Sequence, residues 1–199
     1  MVALNRKEKK KVTRDHLLEC AVEEFTRQGI LATKTIDVAR AAGVAHGTLF
    51  LHFSTRDELL NEVVDLYGRE LGEELSALEE GNSCVRDLLA AMLRVIGKNE
   101  CFYARLVVEG PLLPRDVRNR IFLIQTGIAL KLEKIMEEGI REGRLRRLPL
   151  HLLVNSWLGM LNHYLANRDK FAPGGSVIAR HGNELVEYFV NLIAKEGEC

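Results

Sequence analysis

Residues 33–59 read TKTIDVARAAGVAHGTLFLHFSTRDEL, and this stretch predicts two short helices joined by a glycine turn. Thr35 can cap the first helix, because its hydroxyl would accept a backbone N–H that has no partner within the helix. Asp37 would then lie in the first turn, where the helix dipole favours negative charge. Gly43 stands where helices commonly end in a left-handed backbone conformation.

A longer helix is predicted directly behind these two, since Thr55 and Glu58 have the spacing of a capping box. Apolar positions such as Val38 and Leu49 lie on either side of the glycine turn and would face each other. Two short helices with this turn and these apolar positions describe a helix-turn-helix, whose second helix enters the major groove of DNA. A helical hairpin within an all-α core is the alternative, because such hairpins are common.

The letters AGVAHGTLFLHF at residues 42–53, followed by STRDEL, resemble the signature of the tetracycline-repressor-type (TetR) family of bacterial and archaeal regulators. The resemblance covers about residues 12–60, and beyond them only the length and the helical pattern match. We therefore predict an all-α protein of about nine helices. Residues 1–56 would form a three-helix helix-turn-helix domain with a basic N-terminal arm, and residues 57–199 a helical domain for effector binding and dimerisation.

Composition favours a soluble, mostly helical protein. Of the 199 residues, 47% are apolar and only 4 are proline, and no run of 18 apolar residues occurs. The N-terminus lacks a hydrophobic signal core, so we expect a cytoplasmic protein without a membrane partner. Cys20, Cys84, Cys101 and Cys199 lie far apart and are interpreted as reduced thiols, with a redox-sensing pair as the alternative. We expect no cofactor and no metal.

Charge is divided unevenly along the chain although the formal net charge is zero. Residues 1–56 hold 10 Lys and Arg against 6 Asp and Glu, whereas residues 57–80 hold 1 against 9. The remaining residues hold 17 against 13. Because attraction to phosphate acts over roughly a Debye length of 10 Å, the basic first segment matters more than the total.

The first 29 residues are predicted to form a basic segment and one helix. Residues 1–11 are either a solubilising tail or an arm that contacts phosphates and the minor groove. Thr13 is predicted to begin the first helix, which would end at Gly29. Its apolar residues, such as Leu17 and Phe25, would cover the helix-turn-helix.

Contacts to DNA are expected from the side of the second short helix that faces away from Leu49 and Phe53. The residues on that side are Ala45, His46, Thr48, Leu51 and His52. The family resemblance implies base-edge positions for His46, Gly47, Thr48, Phe50 and Leu51, and phosphate positions for Thr35, His52 and Arg56. Phe50 stands where the family usually has tyrosine, so one hydroxyl contact to phosphate is missing. A His52 that is simply hydrated is the alternative.

The remaining helices are predicted from apolar periodicity and from breaks in the sequence. A long helix should run over residues 55–79, followed by a break at residues 81–83 in which Ser83 can act as a cap. Further helices are expected at 85–96, 102–107, 114–142, 150–167 and 177–195. The basic run at 141–147 is interpreted as a solvated loop, with a second nucleic-acid site as the alternative.

A homodimer is predicted from the last two helices. Asn155, Gly159 and His163 form a face of small and short polar residues that suits close helix packing. Leu185 and Phe189 belong to the apolar stripe of the final helix, and two such helices can pair with a second copy as a four-helix bundle. The family resemblance also implies a two-fold homodimer, and an ordinary monomer core is the alternative.

A small-molecule site cannot be read directly from motifs, so candidates are chosen by chemistry. Pockets are mostly apolar with a few convergent polar groups. The candidates are Phe102, Tyr103, Gln125, Trp157, Asn162 and Tyr164, and core packing competes with ligand contact for each. No nucleophile elbow, metal-ligand spacing or phosphate-binding glycine loop is present, so an enzyme is not expected.

These observations predict a transcriptional regulator of double-stranded DNA. We expect a repressor that binds a palindromic operator as a homodimer and is released by a small, largely apolar effector. A regulator controlled by protein partners alone is the second interpretation, and a helical enzyme is the third.

The docking of the recognition helix gives a first prediction. Thr48→Ala and Arg56→Ala should each weaken operator binding without loss of fold, because they remove one base-edge and one phosphate contact. Fluorescence anisotropy at fixed salt measures the effect, and unchanged affinity in both variants would refute the proposed docking.

Overall fold

A computed structural model describes residues 5–78 and 84–195, and within these ranges it contains ten α-helices and no strand. The helices are α1 (Arg6–Gln28), α2 (Thr35–Ala41), α3 (His46–Phe50), α4 (Arg56–Ser76), α5 (Val85–Lys98), α6 (Glu100–Glu109), α7 (Arg115–Arg141), α8 (Leu150–Ala166), α9 (Arg168–Phe171) and α10 (Val177–Ile193). A 3₁₀ turn, Gly110–Leu112, joins α6 to α7. The all-α prediction is confirmed. The predicted break at 81–83 with its Ser83 cap, and Cys199, lie outside the described residues.

The first helix begins at Arg6 and not at Thr13 as predicted. Asn5 caps it, with the side-chain Oδ1 accepting the backbone N–H groups of Lys7 and Glu8 at 2.9 Å each. The Glu8 carboxylate in turn accepts the Asn5 N–H at 2.7 Å, which completes a reciprocal capping box. The basic residues 6–11 therefore extend α1 as helix and do not form a separate arm.

The start of α2 also differs from the expectation. Lys34 is the N-cap, and its backbone N–H donates to the Asp37 carboxylate at 3.2 Å. Thr35 is the first helical residue and does not cap α2. Its hydroxyl lies 3.0 Å from Nε2 of His46, so this side chain connects the beginnings of α2 and α3.

The turn between α2 and α3 depends on Gly43, whose φ is +66°. The Gly43 N–H donates to the carbonyl of Arg40, and the Val44 N–H donates to the carbonyl of Ala39. These two bonds form a Schellman motif, which requires a left-handed residue after the helix end. The glycine predicted at this position is therefore confirmed as the residue that reverses the chain.

The first three helices enclose a small core that continues into α4. Leu17, Phe25, Val38, Leu49 and Phe53 are all almost completely buried in it. The N-cap of α4 is Thr55, whose hydroxyl accepts the Glu58 N–H at 3.0 Å, as predicted. The Glu58 carboxylate accepts the N–H of Ser54 at 2.6 Å rather than that of Thr55.

In the second part of the chain, α4, α7 and α10 pack against α5, and α8 packs against α6, α7 and α10. The close approach of α4 to α7 occurs at Gly68, where an ideal Cβ would lie only 2.8 Å from Cδ1 of Ile124. Trp157 of α8 is fully buried with Phe189 of α10 against it, their ring centroids 5.5 Å apart. None of the described helices has the length and apolar character needed to cross a membrane.

One buried carboxylate fixes the beginning of α10. Glu100 is 5% exposed and accepts the N–H groups of Val177 at 2.9 Å and Ile178 at 3.0 Å, and the Ser176 hydroxyl. The first N–H groups of a helix have no partner within it, so this side chain satisfies them and carries favourable negative charge. Glu100 is therefore a structural group that joins the start of α6 to α10.

The Schellman turn gives a stability prediction. Gly43→Ala should lower the free energy of unfolding by about 1–2 kcal/mol, because a side chain at positive φ is strained. Urea unfolding followed by circular dichroism measures the change. Gly72→Ala is the matched control, since Gly72 lies in α4 with nothing within 4 Å of an added Cβ. The free energy of unfolding of this control should rise by about 0.5–1 kcal/mol. An equal change in the free energy of unfolding of the two variants would contradict the argument.

Candidate nucleic-acid interface and cavity

The outer face of α3 is exposed, and its inner face is buried. Leu49 and Phe53 are completely buried, whereas Phe50 and Leu51 have exposed fractions of 44% and 75%. Ala45 and Gly47 are also exposed, and Thr48 is half-buried. The predicted division of this segment into a core side and a solvent side is thus what the structure shows.

His46 is held by two contacts at the start of α3. Besides the contact of its Nε2 with the Thr35 hydroxyl, its ring centroid lies 5.0 Å from that of Phe50. Thr35, His46 and Phe50 therefore form one connected group on the outer side of the helix-turn-helix. The sequence prediction assigned Thr35 to phosphate and the other two to bases, and the structure places all three side by side.

His52 lies beside the basic beginning of α1. Its Nδ1 is buried without a hydrogen-bond partner among the described residues. Burial lowers the pKa of His52, and the positive charges of Lys10 and Arg14 lower it further. The extension of α1 thus brings cationic side chains to the end of α3, where the phosphates flanking a groove would lie.

The Arg56 side chain, which was predicted to contact a DNA phosphate, forms hydrogen bonds within the protein. Its Nε donates to the carbonyl of Thr33 at 3.0 Å, and a terminal nitrogen donates to the carbonyl of Ile30. The guanidinium also lies over the ring of Phe25, 5.9 Å from the centroid. Arg56 therefore holds the loop between α1 and α2, so its removal should lower stability in a variant that still folds.

A cavity of about 550 Å³ opens between α6, the 3₁₀ turn and the first part of α7. Three of the six predicted ligand residues line it, namely Tyr103, Gln125 and Asn162. The other three do not line it. Phe102 is buried between Phe25 and Tyr67, Trp157 packs against Phe189, and Tyr164 stacks on Phe171 at 4.2 Å.

The polar groups of the cavity include a tyrosine that remains protonated. The hydroxyl of Tyr103 donates to Oδ1 of Asn162 at 3.4 Å. Burial raises the pKa of Tyr103 to about 12, so this group is a hydrogen-bond donor at neutral pH. Because this hydroxyl hydrogen is donated to Asn162, the cavity offers an occupant the hydroxyl oxygen as acceptor and the Asn162 NH₂ group as donor.

The residues predicted for the dimer interface divide into two groups. Asn155, Gly159 and His163 are exposed on α8, in agreement with an accessible face. Leu185 and Phe189 are 4% and 1% exposed because they face the core of the same chain, so they are corrected to core residues. The large exposed apolar side chains of α8 and α10 are instead Leu152, Tyr188 and Leu192.

One residue with a clear position in this region was not predicted. Glu109, the last residue of α6, accepts the backbone N–H of Leu31 at 2.7 Å, although the two are 78 residues apart. Its side chain is only 13% exposed. A glutamate before a Gly-Pro break gives no sequence signal for such a contact, because the partner is a backbone group of another element.

Metal binding finds no support in the part of the chain that the structure describes. No group of three His, Cys, Asp or Glu side chains there could hold an ion. Cys20, Cys84 and Cys101 are free thiols.

Comparison with known proteins gives consistent similarities. Residues 17–63 match the family described as bacterial regulatory proteins, tetR family. The HTH-type transcriptional regulator AcrR of Shigella flexneri is 32% identical over 97 residues, which are 46% of this chain and 45% of that regulator. This chain thus spans under half the length of that relative. The HTH-type transcriptional repressor DhaR of Mycobacterium sp. (strain GP1) is 23% identical over 79% of this chain and 84% of its own.

A solved structure shows the same fold over most of the chain. The TetR family transcriptional regulator PfmR from Thermus thermophilus superposes with a TM-score of 0.71 at 25% identity. The superposition covers 87% of this chain and 94% of PfmR. These three similar proteins are regulators by name and none is described as an enzyme.

The position of Arg56 gives a prediction that revises the first one. Arg56→Ala should lower the free energy of unfolding by about 1.5–3 kcal/mol, because two buried carbonyls lose a charged donor. Chemical unfolding measures the change. The control is Arg40→Ala, which removes an exposed arginine paired with Asp37 and should change stability by no more than about 0.5 kcal/mol. Equal stability of the Arg56 variant and the native chain would show that the loop is held in another way.

Proposed function

We propose that the chain, whose residues 17–63 match the TetR family of bacterial regulatory proteins, is a cytoplasmic DNA-binding transcriptional repressor of that family. It acts as a homodimer on a palindromic operator, and a small effector releases it. The proposed DNA contacts are Thr35, His46, Gly47, Thr48, Phe50, Leu51 and His52, with Arg56 contributing through the loop that it holds.

The observation that carries this proposal is the exposure of apolar side chains at the end of α3, close to basic side chains of α1. Leu51 is three-quarters exposed and Phe50 is nearly half exposed, whereas Leu49 and Phe53 beside them are completely buried. Thymine methyl groups are apolar targets in the major groove. Lys10, Arg14 and Lys34 lie on the elements around α3 and can meet phosphates.

The homodimer is supported by exposed apolar side chains on both α8 and α10, which in this proposal form one face. Leu152, Tyr188 and Leu192 are 56%, 61% and 44% exposed, and Gly159 leaves room for a close helix. Two copies of this face related by a two-fold axis would bury these side chains in a four-helix arrangement. A two-fold dimer would also carry two recognition helices, as the reading of two half-sites requires.

Effector control is supported by the cavity beside α6. Its volume of about 550 Å³ lies in the range of sites for small molecules. An effector releases the repressor only if it binds more tightly to the conformation that does not bind DNA.

The test is selection of an operator from duplexes with a randomised centre, using the purified chain. We expect a palindrome whose half-sites are about 10 base pairs, one helical turn, or a multiple apart. Fluorescence anisotropy on that operator should show that Thr48→Ala lowers the affinity for the operator about tenfold or more. Thr126→Ala, the same change in α7 where the hydroxyl donates to the carbonyl of Phe122, should leave affinity unchanged.

Dimer dependence is checked on the same operator. Leu152→Glu combined with Leu192→Glu should give a monomer by light scattering and should lose operator binding. Failure to enrich any sequence, or full binding by a monomeric variant, would refute the proposal.

A further inference from the structure

We propose that the cavity between α6 and α7 binds a small molecule with an apolar body and one negatively charged group, and that the Glu109 carboxylate transmits its binding to the helix-turn-helix. This inference rests on the proposed function, since it names the effector class and the coupling residue of the same cavity. Its test is therefore carried out without DNA.

The charge of the cavity selects an anion. Arg115 and Arg118, in the first turn of α7, line the cavity, and no carboxylate is among its lining side chains in the described residues. Neither guanidinium forms an ion pair with an acidic side chain within residues 5–78 and 84–195. Guanidinium groups bind carboxylate and phosphate oxygens through two parallel hydrogen bonds. The beginning of the 27-residue helix α7 adds positive potential at the same place.

The other residues of the lining are mostly apolar and favour a ligand with an apolar body. Leu106 and Val107 come from α6, Pro111 from the 3₁₀ turn, and Ile121 and Phe122 from α7. Phe122 is 66% exposed, so an apolar occupant would cover a large side chain that water now contacts. An anion with an apolar body satisfies both parts of the lining, whereas a small inorganic ion or a neutral hydrocarbon satisfies only one.

In the chain, Glu109 lies between two pairs of residues that line the cavity. Leu106 and Val107 precede it, Gly110 and Pro111 follow it, and all four line the cavity. Its own side chain points to the other side, where Oε2 accepts the N–H of Leu31. Its Oε1 would lie only 3.0 Å from a Cβ on Gly29, so the carboxylate fits against that glycine. An occupant that displaces the 3₁₀ turn would therefore move the acceptor away from Leu31.

The loop that Glu109 contacts leads directly into α2. Arg56 binds its carbonyls at Ile30 and Thr33, and Thr35 begins α2 and contacts His46 of α3. Loss of the Glu109 contact releases one of the fixed points of this loop. The effector would thereby loosen the helix-turn-helix and not merely occupy the second part of the chain.

The ligand class is tested with matched pairs of probes by thermal shift and calorimetry. The pairs are decanoate with 1-decanol and naphthalene-2-carboxylate with naphthalene-2-carboxamide. We expect at least one carboxylate to bind at least tenfold more tightly than its neutral partner. Arg118→Gln should abolish that preference, and Arg147→Gln, in the loop after α7, should not. Binding of no carboxylate, equal binding of neutral partners, or an unchanged preference in Arg118→Gln would overturn the assignment.

The coupling is tested by hydrogen exchange of the Leu31 amide in the chain without DNA. The bound carboxylate should raise its exchange rate at least tenfold. Glu109→Ala should exchange rapidly with or without ligand, and Glu109→Gln, whose amide oxygen can accept the same hydrogen bond, should keep the response. Glu142→Ala, which removes an exposed carboxylate paired with Arg144, serves as control. A ligand that binds the native chain without changing Leu31 exchange would overturn the coupling, even if Glu109→Ala fails to fold.

Discussion

The backbone of residues 29–33 has to be satisfied by other elements, and much of the structure depends on how this is done. Buried N–H and C=O groups without partners are costly, and a loop between two helices offers few of its own. Here the Arg56 side chain supplies donors to two carbonyls, Glu109 supplies an acceptor to one N–H, and the Thr33 hydroxyl donates to Gly29. Two elements that are far apart in sequence, α4 and α6, therefore meet at five residues of loop.

This arrangement makes the direction of α2 dependent on elements far away in sequence. Arg56 is also the first residue of α4, so the start of that helix and the loop are fixed together. The last residue of α6 fixes the loop from the opposite side. The helix-turn-helix is consequently not an independent unit that a linker joins to the rest of the chain. Its orientation follows from the same contacts that hold α4 and α6 in place.

The sequence predicts local features well because their causes are local. The helix-turn-helix, the Gly43 turn, the Thr55 cap and the exposed side of α3 all follow from spacing within a few residues. The predicted start of the first helix was wrong because the residues after the Asn5 cap are mostly charged. Such a charged run is also typical of a solvated tail. The contact of Glu109 with Leu31 spans 78 residues and involves a backbone group, so no pattern in the sequence marks it.

Faces of helices are predictable, but the element that covers each face is not. Periodicity places Leu185 and Phe189 on one apolar stripe of α10, and a stripe can face either its own chain or a second copy. In the structure it faces α5 and Trp157, which leaves Tyr188 and Leu192 outside. The cavity is harder still, since its lining comes from the ends of α6 and α7 and from one residue of α8.

The missing side chain at Gly68 determines how α4 can move. The backbone of α4 there lies against Ile124 too closely for even a methyl group, so a sideways shift at that point meets packed atoms. A tilt of α4 about Gly68 moves the atoms near Gly68 very little and moves those at the two ends of the helix furthest. Twelve residues of helix separate Gly68 from Arg56, a length of about 18 Å at 1.5 Å per residue. A tilt of about 5° would carry the Arg56 end through roughly 1.6 Å by that geometry, which is comparable with the tolerance of a hydrogen bond.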